Sequence, residues 1–190
     1  MTDSGLKNLL GFLLRNKDTA VSLLENFKAE DIERGILAIP EKVINRDIKM
    51  LIMDMAGDFL NDYEILFLQD SIFVELDGNA KQLGRLKAKY MLTITQFDFR
   101  DNTHQIRFTY KEDVKSEGNF VQNMAVKAAG LKGSYLQTAV EMMNQDFIEV
   151  GKDSVTIDLS SLDFAKKIPA SLSISYVSSE DGILKLRFNI

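Results

Sequence analysis

The sequence predicts an α+β fold, a curved and mostly antiparallel sheet of about eight strands packed on a long helix, with additional helices. Three observations predict it. Apolar residues recur at helical spacing as far as Gly57, and they alternate at period two from Glu64 to Tyr110 and again from Leu172 to Ile190. Most connections between the alternating runs are short, which suits antiparallel neighbours.

The elements follow in order. Leu6, Leu9, Leu10, Leu13 and Leu14 share a helical face, and after the polar break at Asn16 to Asp18 the period resumes with Val21, Leu24 and Phe27. Gly35 stops a short turn, and Ile36 to Ile39 is extended because a residue before proline avoids the α region. Pro40 suits a first helical position. The helix Glu41 to Ala56 then carries one stripe: Val43, Ile44, Ile48, Leu51, Ile52 and Met55.

Strands come next. Ile65 and Phe67, then Ile72, Val74 and Leu76, then Leu86, Ala88, Tyr90, Leu92 and Ile94 alternate with polar neighbours. The inward phase shifts near Gln96, to Phe97 and Phe99, and returns to even positions at Ile106, Phe108 and Tyr110. Such a shift predicts a β-bulge at Gln96, and a bulge bends its strand. Helices are expected over Phe120 to Ala128 and, with Ser134 as N-cap, through Tyr135 to Met143. Strands at Phe147 to Val150 and Val155 to Leu159 flank a turn, and Leu172 to Ile190 forms a second meander that turns at Glu180-Asp181-Gly182.

A chain of 190 residues, 45% of them hydrophobic, can bury one core, and no linker or repeat divides it. A single domain is therefore expected, with a helical segment at 1–35 and an α+β body at 36–190. The absence of cysteine excludes disulfides, cysteine nucleophiles and thiolate metal sites. No stretch resembles a signal sequence or a membrane span, so a cytoplasmic location is expected. A net charge of -5 argues against nucleic acid as a partner.

Catalytic motifs are not found. His104, the one histidine, falls in the hairpin turn between the two long strands and is expected to be solvated. The acidic pairs Asp54 with Asp58 and Asp153 with Asp158 sit in no recognisable ligand loop, and Gly130 to Gly133 lacks the strand and the Lys-Ser/Thr ending of a phosphate loop. No enzyme activity, cofactor or metal is expected.

Two features point to binding. Between residues 81 and 111, seven basic and two acidic side chains give a local charge of +5, centred on Arg85, Lys87 and Lys89. A face of that sign suits an anionic membrane surface, although a solvated face that blocks aggregation has the same composition. Twelve Phe and eight Met with no Trp suit an adaptable apolar interior.

The helix EKVINRDIKMLI, the strand DSIFVELDGNAKQLGRLKAKY, the bulged hairpin and the closing VTIDLSSLDFAKKIPASLSISYVSSEDGILKLRFNI resemble, in pattern, the tubular lipid-binding (TULIP-like) proteins and their small bacterial relatives. That resemblance implies a bent sheet wrapped on a helix with an apolar channel between them. The expected function is non-catalytic binding of a lipid or fatty-acid-like amphiphile in that concavity. Its expected lining is Ile48, Ile52, Leu92, Ile94, Phe97, Phe99, Phe108 and Met142, with Arg85, Lys87 and Lys89 as contacts to an anionic surface. The alternative is a protein-interaction module without a small ligand.

Overall fold

The computed structural model describes residues 34–47, 49–80, 84–118, 122–124, 126, 128, 130, 133–143, 146–161, 170 and 172–189. The N-terminal helices expected before Arg34, Lys81 of the basic run and Ile48 of the expected lining lie outside them, as does the Met142 side chain. Among the described residues, nine strands form one open, curved sheet: β1 Ile36–Pro40, β2 Leu60–Leu68, β3 Ser71–Ala80, β4 Gly84–Arg100, β5 Thr103–Ser116, β6 Ile148–Val150, β7 Ser154–Asp158, β8 Ser173–Glu180 and β9 Ile183–Asn189. All pairings among the described residues are antiparallel. The strand beyond the expected eight is β1, whose extended residues pair with β9.

Strand order is β1-β9-β8-β4-β5-β7-β6, with β2 and β3 joined to the same β4. At 17 residues, β4 is long enough to serve two partners on one edge. Its Gly84–Leu92 half pairs with β3, and Phe99 pairs with Ile174 of β8. Along its other edge it runs beside β5 for nearly its whole length. On β5 and on β4 before its bulge the even-numbered side chains turn to one face, where Ala88, Tyr90, Phe108 and Tyr110 join Phe67, Ile72 and Val155 of the other strands to build the core. The period of two produces this: successive side chains of a strand point to opposite faces.

The phase shift in β4 is a bulge. Ile94 pairs with Phe108 and Gln96 with Arg107, so Thr95 is the inserted residue, one position before the expected Gln96. Alternation marks a shift between Ile94 and Phe97 without saying which residue loses its partner; the backbone register decides that. The Thr95 hydroxyl donates to the Arg107 carbonyl at 3.2 Å. Beyond the bulge Phe97 lies opposite Ile106, so the inward set continues on odd positions.

The expected helix Glu41 to Ala56 is divided into a π-helical turn Val43–Asp47, helix α1 Lys49–Ala56 and a 3-10 turn Gly57–Phe59. Its described polar contacts run along the free edge of β2. The Glu41 carboxylate accepts the Phe67 N–H at 3.1 Å, the Asn45 side chain both accepts from and donates to the Ile65 backbone at 2.8 and 2.7 Å, and Lys49 donates to the Tyr63 carbonyl at 3.2 Å. Glu41, Asn45 and Lys49 recur about once per helical turn and meet alternate residues of β2, Phe67, Ile65 and Tyr63, so the two rows stay in register. An apolar stripe in the sequence cannot show this, because the polar residues beside it meet a strand edge, not water. The arrangement covers the backbone groups through which an edge strand pairs with other chains.

The turns of the two meanders meet beside this segment. The Ser179 hydroxyl, wholly buried, donates to the Ser71 carbonyl at 3.0 Å, and the Asp70 N–H donates to the Ser179 carbonyl at 3.0 Å. Gly182 donates to Phe67 at 2.8 Å and accepts from Glu41 at 2.9 Å. Its φ of 78° is one that glycine adopts without strain. Among the described residues, no helix is long and apolar enough to cross a membrane.

Two outcomes test these features. Inserting one residue between Gln96 and Phe97 should turn Phe97 and Phe99 outward and lower stability by about 3 to 6 kcal/mol, at roughly 1.5 to 3 for each large apolar side chain, as read from urea unfolding. Asn45→Ala removes both bonds to Ile65 and should cost about 1 to 3 kcal/mol in the same measurement. Light scattering should also show self-association through the uncovered edge.

Candidate functional site

The largely apolar space that the fold leaves lies beneath helix α2, Tyr135–Met143. Ser134 caps this helix, its hydroxyl accepting the Gln137 N–H at 2.9 Å. Glu112, inward-facing on β5, holds the same end on the sheet: its two carboxylate oxygens accept the N–H groups of Tyr135 and Leu136 at 2.8 and 3.1 Å. A carboxylate at a helix N-terminus satisfies free donors and complements the helix dipole. Leu136, Ala139 and Val140, spaced as one helical face, then look onto the sheet.

Below them is a recess of about 250 Å3. Its floor is Leu76 and Gly78 of β3, Leu86, Ala88 and Tyr90 of β4, and Val114 of β5. Ala56, Phe59 and Leu60 form one wall and Ile148 contributes from β6. The space exists because small residues stand where large ones would fill it. Gly78 also admits the Gly57–Phe59 turn, since a Cβ there would lie 2.7 Å from the Phe59 carbonyl oxygen.

The polar side chains at the recess are Asn79, Tyr90 and Tyr135, and none of its lining residues is charged. Tyr90 is only 5% exposed, and its ring meets that of Tyr110 edge-on at 6.3 Å. Burial, helped by the nearby Glu112 carboxylate and Tyr110, raises the pKa of its hydroxyl well above the ordinary tyrosine value. Among the described residues that hydroxyl has no hydrogen-bond partner.

The residues expected from the sequence to line a cavity lie elsewhere. Phe108 belongs to the core cluster, and Leu92 and Ile94 pack against it. Phe97 stacks on Phe99 at 4.7 Å, and Phe99 is buried edge-on to His104 at 5.4 Å. Ile52 sits half-buried on α1 and is not part of the recess. The recess and these residues share one face of β4, the recess lying along Leu86 to Tyr90. The missed signal was the small residues: Ala88 and Gly78 interrupt rows of large apolar side chains on adjacent strands.

His104 corrects a second expectation. The turn is Asp101-Asn102, so His104 lies one residue inside β5 on the inward phase, and it is buried, not solvated. Its backbone N–H donates to the Ser160 hydroxyl at 3.0 Å, while its Nδ1 has no partner. No three histidine or carboxylate side chains among the described residues come together as metal ligands would.

Arg85, Lys87 and Lys89 stand in a row on the exposed face of β4, each beside a carboxylate. Arg85 grips Asp77 with two bonds, the Nε bond being 2.9 Å, and lies 3.4 Å from Glu117. Lys87 lies 2.9 Å from Glu117 and Lys89 3.3 Å from Glu75. Three cations face three carboxylates on the neighbouring strand and the adjoining loop. Of the excess of +5 counted along the chain between 81 and 111, the part carried by Arg85, Lys87 and Lys89 thus faces Glu75, Asp77 and Glu117, which lie outside that stretch.

No known family matches the chain, and no curated protein or solved structure is detectably similar to it.

The charged row makes a pH prediction. The Arg85 guanidinium, followed by the Asn61 amide, holds the Asp77 carboxyl at about 2, below its ordinary 3.8. A carboxyl depressed by folding contributes stability that is present above its unfolded value and lost as pH falls through the folded one. Stability should therefore drop between about pH 4 and pH 2, and Asp77→Asn should flatten that part of the profile in urea midpoints measured across the range.

Proposed function

We propose that the protein binds a small amphiphile or a lipid tail, without catalysis, in the recess between α2 and the sheet. The observation that carries this reading is the recess itself: about 250 Å3 with walls that are almost wholly apolar and no charged lining residue. An apolar cavity of about 150 Å3 already takes benzene, whereas sites for drug-sized ligands begin near 300 Å3. The space suits a ring or a short acyl chain better than a whole phospholipid. The helical stretch from Glu41 to Phe59 enters the reading as one side of the concavity, through Ala56 and Phe59. The pattern shared with tubular lipid-binding proteins, a bent sheet over apolar space, points the same way.

Binding is expected to be saturable for an uncharged, environment-sensitive fluorophore titrated into the protein. Ala139→Trp fills the space from the helix side and should weaken that binding by about tenfold or more, equivalent to about 1.4 kcal/mol, while the melting temperature holds. A wild-type protein that gives no saturable signal, and no added mass in native mass spectrometry, would transfer the function to a protein-interaction surface.

A further inference from the structure

We infer that the ligand is uncharged and presents a hydrogen-bond acceptor to the Tyr90 hydroxyl, as the head of an alcohol, ester or amide does. This rests on the recess being a binding site and names the chemistry it selects. Two observations carry it independently.

The first is the hydroxyl. Tyr90 lines the recess, is 5% exposed, and has no partner for its O–H among the described residues. The hydroxyl opens on the recess, and a ligand that excludes water from it without offering an acceptor leaves the donor unpaired, which is unfavourable. A chain entering the recess with an acceptor at one end pairs it.

The second is charge. An anionic head would find no cation among the lining residues. It would find Glu112 instead, the cross-strand neighbour of Tyr90, whose carboxylate is already engaged by the first N–H groups of α2. That engagement takes up the helix end that would otherwise welcome an anion. Arg85, Lys87 and Lys89 occupy alternate positions to Leu86, Ala88 and Tyr90, so they project from the opposite face of β4. A carboxylate brought into the recess would be stripped of water beside another carboxylate with nothing to neutralise it.

The test compares octanol, octane and octanoate as competitors of the uncharged fluorophore, at a pH where octanoate is ionised. Octanol is expected to bind about tenfold or more tightly than octanoate, and about five- to tenfold more tightly than octane, the scale of one net hydrogen bond. In Tyr90→Phe the preference for octanol over octane should vanish, while the melting temperature stays unchanged because no intramolecular bond is lost. Octanoate binding as well as octanol, or an octanol preference that survives in Tyr90→Phe, would overturn this inference and leave the binding reading intact. Failure of the fluorophore and all three competitors to bind would overturn both.

Discussion

The architecture depends on one strand serving two partners along the same edge. β4 gives its first half to β3 and its far end to β8, so the two meanders leave it side by side and must be joined across the gap. Ser179 makes that join. It is fully buried, its hydroxyl bonds to Ser71, and its carbonyl receives the Asp70 N–H. Gly182 adds a bridge between Phe67 and Glu41. Without such bonds the turn peptides would be buried unpaired, which is costly in a protein interior. The bulge at Thr95 falls between the residues of β4 that pair with β3 and the one that pairs with β8, where added bending lets the strand pass from one partner to the other.

From that junction the helical stretch after β1 is set on its course. Glu41 is tied to Gly182 and Phe67, and with this anchor the next two polar side chains, Asn45 and Lys49, reach the backbone of β2 two strand residues at a time. The stretch ends over β3 at Gly78, where Phe59 approaches too closely for any side chain. One wall of the recess is thus a consequence of how the meanders are joined. The other wall has a separate origin, since Glu112 and Ser134 dock α2 through its first backbone N–H groups. Neither support requires the space between them to be filled. Close packing is the rule in protein interiors, so a space lined by small residues invites a functional explanation.

The opposite face of the same strands has a different economy. Its cations Arg85, Lys87 and Lys89 are exposed and each has a carboxylate neighbour, an arrangement whose individual pairs contribute at most about 1 kcal/mol. Their collective effect is on solubility and strand register: opposite charges directly across a strand pair favour the observed alignment, as with Glu75 opposite Lys89 and Asp77 opposite Lys87. One sheet therefore carries a charged surface and an apolar surface, and its pleat assigns residues to each.

Local periodicity determined what depends only on neighbours in the chain. The sheet class, the antiparallel pairing, the two long strands with a phase shift between Ile94 and Phe97, and Ser134 as a helix cap all follow from spacing and turn chemistry. Tertiary structure decided what depends on residues distant in sequence. Ser179 and Ser71, joined by a hydrogen bond, are 108 residues apart, and no period links them. The carboxylates that balance Arg85, Lys87 and Lys89 arrive from a neighbouring strand and a loop, so a charge counted along the chain misjudges the face. His104 moved from turn to core because β5 begins at Thr103, which puts His104 on the same inward phase as Ile106 and Phe108. The recess, likewise, was displaced from the large phenylalanines to the small residues Gly78, Ala88 and Ala139, because large side chains fill space and only the fold shows where space is left.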